Sequence, residues 1–129
     1  WRRLAALHGL IEASLEKELQ ARHGLSVVEY TVLDALSRQD GWHMRMQQLA
    51  RAAALSSSAT TRLVNRLEMR GFLSRYLCAD DRRGIYTEVT EAGLAALQAA
   101  GPDHDAALER ALEAARGIEG LRSLAESLG

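Results

Sequence analysis

Between residues 57 and 70 the chain places Ser57, Ser58, Thr61, Arg62, Asn65, Arg66 and Arg70 at short helical steps. On a helix this spacing turns them largely away from Leu63, Val64 and Leu67, which form the inward face. The chemistry open to such side chains is hydrogen bonding to a polyanion and to planar heterocycles. Arg62 has the reach and planar fork to meet O6 and N7 of a guanine. The small hydroxyl residues of the first turn permit close approach to a groove, and their amides, at the positive end of the helix, can meet a phosphate. Arg66 and Arg70 continue the basic surface toward the C-terminal end. Downstream, Asp80 or Asp81 can brace one of Arg82 and Arg83 while the other probes phosphate or a narrow minor groove.

Covalent chemistry finds no support. There is no Gly-rich phosphate loop, and Ser56 to Ser58 have no histidine near them in sequence. His8, His23, His43 and His104 are scattered without an HxxxH pair or a nearby cysteine, so no metal site is expected. Neither a catalytic residue nor a bound cofactor is expected. Cys78 is the single cysteine, which excludes an internal disulfide and fits a reducing compartment. At the base of the charged loop it reads as an ordinary strand residue rather than a redox handle.

The net charge of −1 conceals a division. Residues 45–83 hold eight arginines against Glu68, Asp80 and Asp81, while the rest of the chain is acidic. A basic centre between acidic ends is the footprint that phosphate contact requires, because neutralising phosphates releases counterions. A solvated surface of mixed charge is the plainer alternative.

The elements that must position these residues follow from periodicity and turn signals. Leu4, Leu7, Ile11, Leu15 and Leu19 predict a helix over residues 3–20, stopped at His23-Gly24 by a glycine suited to a left-handed cap. Trp1 falls in the middle of that amphipathic pattern, which implies further residues upstream. Ser26 and Glu29 form a capping box opening a second helix to about Arg38, with Val28, Val32, Leu33 and Leu36 inward. Tyr30 and Trp42 read as core or hinge packing, and Asp40-Gly41 as a turn. His43-Met44-Arg45 is short but can add a third edge to a sheet. A short helix over Met46 to Ala53 has a poor N-cap, since neither Arg45 nor Met46 is a capping residue. Ser56 caps the longer helix, which Gly71 ends. Phe72–Leu77 and Ile85–Thr90 have strand composition, joined by a polar loop from Cys78 to Gly84. Thr90 then caps a helix bearing Leu94 and Leu97, which Gly101-Pro102 should break or kink. Leu108, Leu112, Ile118, Leu121, Leu124 and Leu128 supply a last apolar stripe, interrupted near Gly117 to Gly120 and ending in a short helix.

The class is thus mainly α with a small β-hairpin wing: a winged helix-turn-helix lobe over residues 25–90, flanked by helices at 1–23 and 91–129. The terminal stripes exceed what one small lobe needs. A homodimer that packs them on their counterparts is the economical solution, and folding back as a monomeric cap is the rival. No apolar run approaches a membrane span and no signal-peptide pattern occurs, so a cytoplasmic protein is expected.

Several fragments, in order, resemble the MarR family of winged helix-turn-helix regulators. They are Leu55-Ser56 leading into Thr61-Arg62-Leu63-Val64-Asn65-Arg66-Leu67-Glu68, then Arg70-Gly71-Phe72-Leu73, Asp80-Asp81-Arg82-Arg83-Gly84 and Val89-Thr90-Glu91-Ala92-Gly93. Gly24-Leu25-Ser26 with Tyr30, Val32 and Leu33 fits the approach to the second helix. The resemblance covers essentially the whole chain and implies a homodimer with interlocked terminal helices, reading a pseudo-palindromic operator in double-stranded DNA. Ser57, Ser58, Thr61 and Arg62 match positions facing the major groove, and Arg66 and Arg70 match positions near phosphates. Arg82 or Arg83 matches a wing tip aimed at the minor groove. The resemblance further implies a repressor released by a small aromatic effector. Two departures stand out: Thr60 where an aliphatic residue is usual, and Met46-Gln47 in place of a Ser or Thr cap. A winged module that docks an acidic protein partner remains the alternative.

Overall fold

The computed structural model describes the backbone of residues 1–78 and 81–129 and the side chains of residues 1–77 and 84–129. Asp80 and the side chains of Cys78, Asp81, Arg82 and Arg83 therefore lie outside the described residues. The expected wing brace, the wing-tip arginines and the environment of Cys78 fall there.

The chain divides into two units, Trp1–Val27 with Ala99–Gly129, and Val28–Gln98. In the first, the leucine period produces α1 (Arg2–His23), with Leu7, Leu15 and Leu19 buried. Gly24 closes it in the left-handed region (φ 62°), its N–H donating back to the Gln20 carbonyl. α1 packs with the final helix, α6 (Arg122–Leu128). Leu7, Leu112, Ala115, Leu121 and Ala125 form the apolar cluster of this unit, with Leu10, Ile11, Leu108 and Leu124 against it. Ser14 donates to the Ala107 carbonyl, and His23 Nε2 lies 2.7 Å from Asp103 Oδ2.

In the second unit, α2 (Val27–Ser37) buries Val32, Leu33 and Leu36. A 3-10 turn at Asp40–Trp42 holds Gly41 and Trp42 at positive φ and leaves Trp42 partly exposed. It leads into β1 (His43–Arg45), α3 (Met46–Ala52), α4 (Ser57–Met69), β2 (Leu73–Cys78) and β3 (Asp81–Val89). The strands form an antiparallel sheet in the order β1-β3-β2. β1 pairs Met44 with Thr87, so the third edge expected at His43–Arg45 is present.

Three expectations are corrected. Strand β3 begins earlier than the polar loop from Cys78 to Gly84 suggested. β3 reaches back to Asp81, with an irregularity between Leu77 and Cys78, because ladder hydrogen bonds use backbone groups and tolerate polar side chains. The poor N-cap of α3 is compensated: Gln48 Oε1 accepts the Arg45 N–H at 3.1 Å, and Thr87 donates to Met46 Sδ. Third, α5 (Glu91–Arg116) continues through Gly101-Pro102. Proline forfeits one hydrogen bond to Gln98, and glycine before it has no Cβ to clash with the ring. Burial of Leu97, Ala100, Ala107 and Ala111 on the same helical period outweighs that loss.

The turn between α3 and α4 carries no glycine, yet Ala54 adopts φ 54°. Its signal is absent from the sequence because alanine seldom enters the left-handed region. After α4, Gly71 (φ 80°) turns the chain into β2. Thr90 Oγ1 donates to the Gly71 carbonyl at 2.6 Å and accepts the Gly93 N–H at 3.1 Å, capping α5 as expected. Gly93 itself lies against the Phe72 carbonyl and Val89 Cγ2, with no room for a Cβ. Gly93→Ala should therefore lower the unfolding free energy by about 1–3 kcal/mol through overpacking, measured as a reduced urea midpoint at unchanged slope.

Candidate nucleic-acid interface

Ser56 caps α4 by accepting the Ala59 N–H at 3.2 Å. Leu63, Val64 and Leu67 are buried below, and the opposite face is left to polar groups. Thr60, the departure from an aliphatic residue, is also buried. Its hydroxyl donates to the Ser56 carbonyl at 2.8 Å, so the methyl packs inward without an orphaned polar atom.

Ser57, Ser58, Thr61, Arg62, Asn65 and Arg66 all lie exposed on that opposite face. Thr61 donates to the Ser57 carbonyl at 3.0 Å, and the Ser58 hydroxyl lies 3.3 Å from that of Ser56. Among the described residues, the Arg62 and Arg66 side chains make no ion pair or hydrogen bond. Their charge is available to an external anion. Arg51, exposed on α3, is in the same condition, although its spacing gave no separate signal.

Arg70 is different. Its Nη1 donates to Glu29 Oε2 at 3.2 Å, and its guanidinium lies 4.8 Å from the centre of the Phe72 ring. Glu29 is buried, so the cation holds α2 to the end of α4. Sequence spacing placed Arg70 on the helical surface, but it is the cap residue, where the chain leaves the helix. Arg75 is likewise engaged, by Glu68 at 3.0 and 3.3 Å. Arg45 donates to the Tyr86 hydroxyl at 3.1 Å and lies over that ring. Tyr76 and Tyr86 stack on the sheet surface beside His43.

Between α3, α4 and the wing runs an open groove of about 420 Å³, with Arg45, Gln47, Thr61, Arg75 and Ile85 among its walls. No cluster of three His, Cys, Asp or Glu side chains suited to a metal occurs among the described residues. No helix among them is long and apolar enough to cross a membrane.

A short helix, a tight turn, a longer helix with an outward polar face and a three-stranded wing define a winged helix-turn-helix protein. The MarR family model matches residues 23–84. The crystal structure of Sco3205, a MarR family transcriptional regulator from Streptomyces coelicolor in complex with DNA, superposes with a TM-score of 0.84 at 30% identity, covering 99% of this chain and 80% of that one. The chain belongs to the MarR family. CouR from Rhodococcus jostii RHA1, bound to p-coumaroyl-CoA, is similar at TM-score 0.76 and 30% identity, over 97% of this chain and 85% of that one. The HTH-type transcriptional regulator MhqR of Bacillus subtilis (strain 168) is 32% identical over 88 residues, 68% of this chain. The match spans 59% of MhqR, less than two thirds of its length.

Arg70→Ala strips a buried carboxylate of its cation and should cost about 1–3 kcal/mol in urea unfolding, at the low end because Arg70 is partly exposed. Glu68 carries a second expectation. The hydrogen bond from Arg75, then its charge, holds the Glu68 carboxyl below its ordinary pKa. The stabilisation is thus present above the ordinary carboxylate range and is lost as pH falls through the lowered value. Urea midpoints of the parent chain and Glu68→Gln should converge as the pH falls below the ordinary carboxylate range and through the lowered value.

Proposed function

We propose that the chain is a sequence-specific regulator of transcription that binds double-stranded DNA as a homodimer and represses until a small aromatic effector releases it. The observation that carries the reading is the outward face of α4. Its capped N-terminus, hydroxyl side chains and two arginines without a carboxylate partner among the described residues are what base edges and phosphates require. The DNA complex of the related Sco3205 supports the same partner.

In this reading Arg62 contacts bases, with Ser57, Ser58, Thr61 and Asn65 lining the groove, and Arg66 meets a phosphate. Arg82 and Arg83 remain proposed wing contacts, with Asp80 or Asp81 as brace. Arg70 is assigned to the lobe's own cohesion through Glu29. The dimer is supported by apolar side chains left exposed on the unit of the two termini: Trp1, Leu4, Ile118 and Leu128. A second copy would bury them, as hydrophobic burial favours. The effector is supported by the p-coumaroyl-CoA bound to CouR. It would act by linkage: a ligand preferring the spacing of reading heads that does not fit the operator lowers DNA affinity by that preference. The protein is read as a cytoplasmic binding protein and not as an enzyme.

Fluorescence anisotropy on the DNA upstream of its own gene, with scrambled competitor and a salt series, tests the reading. Tight, competitor-resistant binding with two half-sites about one helical turn apart is expected. Arg62→Ala should cost roughly 1–3 kcal/mol and relax base preference, whereas Arg66→Ala should weaken all sequences evenly and shallow the salt slope. Binding that salt abolishes equally on both DNAs would overturn specific recognition and favour an acidic protein partner.

A further inference from the structure

Glu68 and Arg75 face each other across the turn that leads from α4 into β2. Arg75 Nη2 donates to Glu68 Oε1 at 3.0 Å and Nε to Oε2 at 3.3 Å, a two-pronged pair. Two parallel bonds fix orientation as well as distance, which a single contact between flexible side chains does not. Glu68 belongs to the last turn of α4, and Arg75 sits opposite Thr87 in the sheet ladder. The pair therefore bridges helix and hairpin beyond the turn itself. Inside the turn, the Thr90 hydroxyl grips Gly71, and the Thr90 N–H donates to the Phe72 carbonyl at 3.0 Å. Those bonds anchor the base of the hairpin; Glu68 and Arg75 meet farther along it.

Small rotations there matter. A six-residue strand is ~20 Å long, so a swing of about 10° at its base moves its tip by roughly 3.5 Å, about one base-pair step. Both side chains are about one-third exposed, 36% for Glu68 and 32% for Arg75. An ion pair so exposed adds little to folding stability. Its two-pronged geometry, between the last turn of α4 and the first strand of the hairpin, points to orientation as its consequence.

We propose that the Glu68–Arg75 pair sets the angle between α4 and the wing, so that both engage neighbouring stretches of one DNA duplex. The DNA part rests on the function proposed above. Glu68 and Arg75 are positioning residues: they act through the wing and need not touch DNA.

Two measurements test it, one without DNA. In a Cys78→Ser background, spin labels at Met69→Cys and Leu77→Cys report the helix-to-wing distance by double electron–electron resonance on the free full chain. The distribution should be narrow with the pair intact and broader or displaced in Glu68→Gln and in Arg75→Gln. It should narrow again in the charge-swapped E68R/R75E. An unchanged distribution in Glu68→Gln, or no recovery in a swapped variant whose circular dichroism shows it folded, overturns the proposal. With bound DNA, hydroxyl-radical protection of the minor-groove flanks should be lost in Glu68→Gln, while methylation protection of guanines in the half-site centre persists. Overall affinity should fall about tenfold and recover in the swap. Equal loss at flanks and centre would also overturn it. Should the unsubstituted chain protect no DNA, the DNA reading fails by itself, and the label distances still decide whether the pair holds the angle.

Discussion

One threonine closes the lobe. Its hydroxyl donates to the carbonyl of Gly71 and accepts from the amide of Gly93, while its own N–H reaches the Phe72 carbonyl. The exit from α4, nearly twenty residues earlier, meets the junction of β3 and α5 at Thr90. The approach is close enough that Gly93 has no space for a side chain. Thr90 supplies partners both to carbonyls just beyond the end of α4 and to an N–H that the first turn of α5 would leave unsatisfied. The outward face of α4 and the wing are presented together because this joint holds their common root.

The arginines divide by what they face. Arg70 and Arg75 each find a carboxylate within the lobe, and Arg45 a tyrosine. Arg51, Arg62 and Arg66 find no such partner among the described residues. Counting charge along the chain therefore overstates the field offered to a partner and misplaces it. The cations engaged inside the lobe hold α2, α4 and the sheet to one another. Those turned outward have only solvent, or a polyanion, to neutralise them. Both groups serve one end, since the outward arginines have a defined spacing only while the inward ones keep α4 fixed.

Much of this was legible along the chain. The heptad-like leucines of α1, the Ser56 cap, the Gly24 and Gly71 stops and the Thr90 cap are local signals, each requiring only a few neighbouring residues. The candidate face was legible for the same reason: Ser57 to Arg66 sit inside one regular helix, where spacing alone decides the side on which they lie. The pairing of Arg70 was not legible, because it lies at the cap, where the helical rule expires, and its partner is a buried carboxylate 41 residues earlier.

What amino-acid order determined, then, is what repeats every few residues: helices, caps, the amphipathic split of α4 and the basic bias of the middle of the chain. Only tertiary structure decided that α5 continues through Pro102, that Ala54 takes a left-handed turn without a glycine, and which arginines are engaged. These outcomes share a physical cause. Each sets a local preference of a few kcal/mol at most against burial or pairing with residues distant in sequence, and that opposing term exists only once the chain has folded.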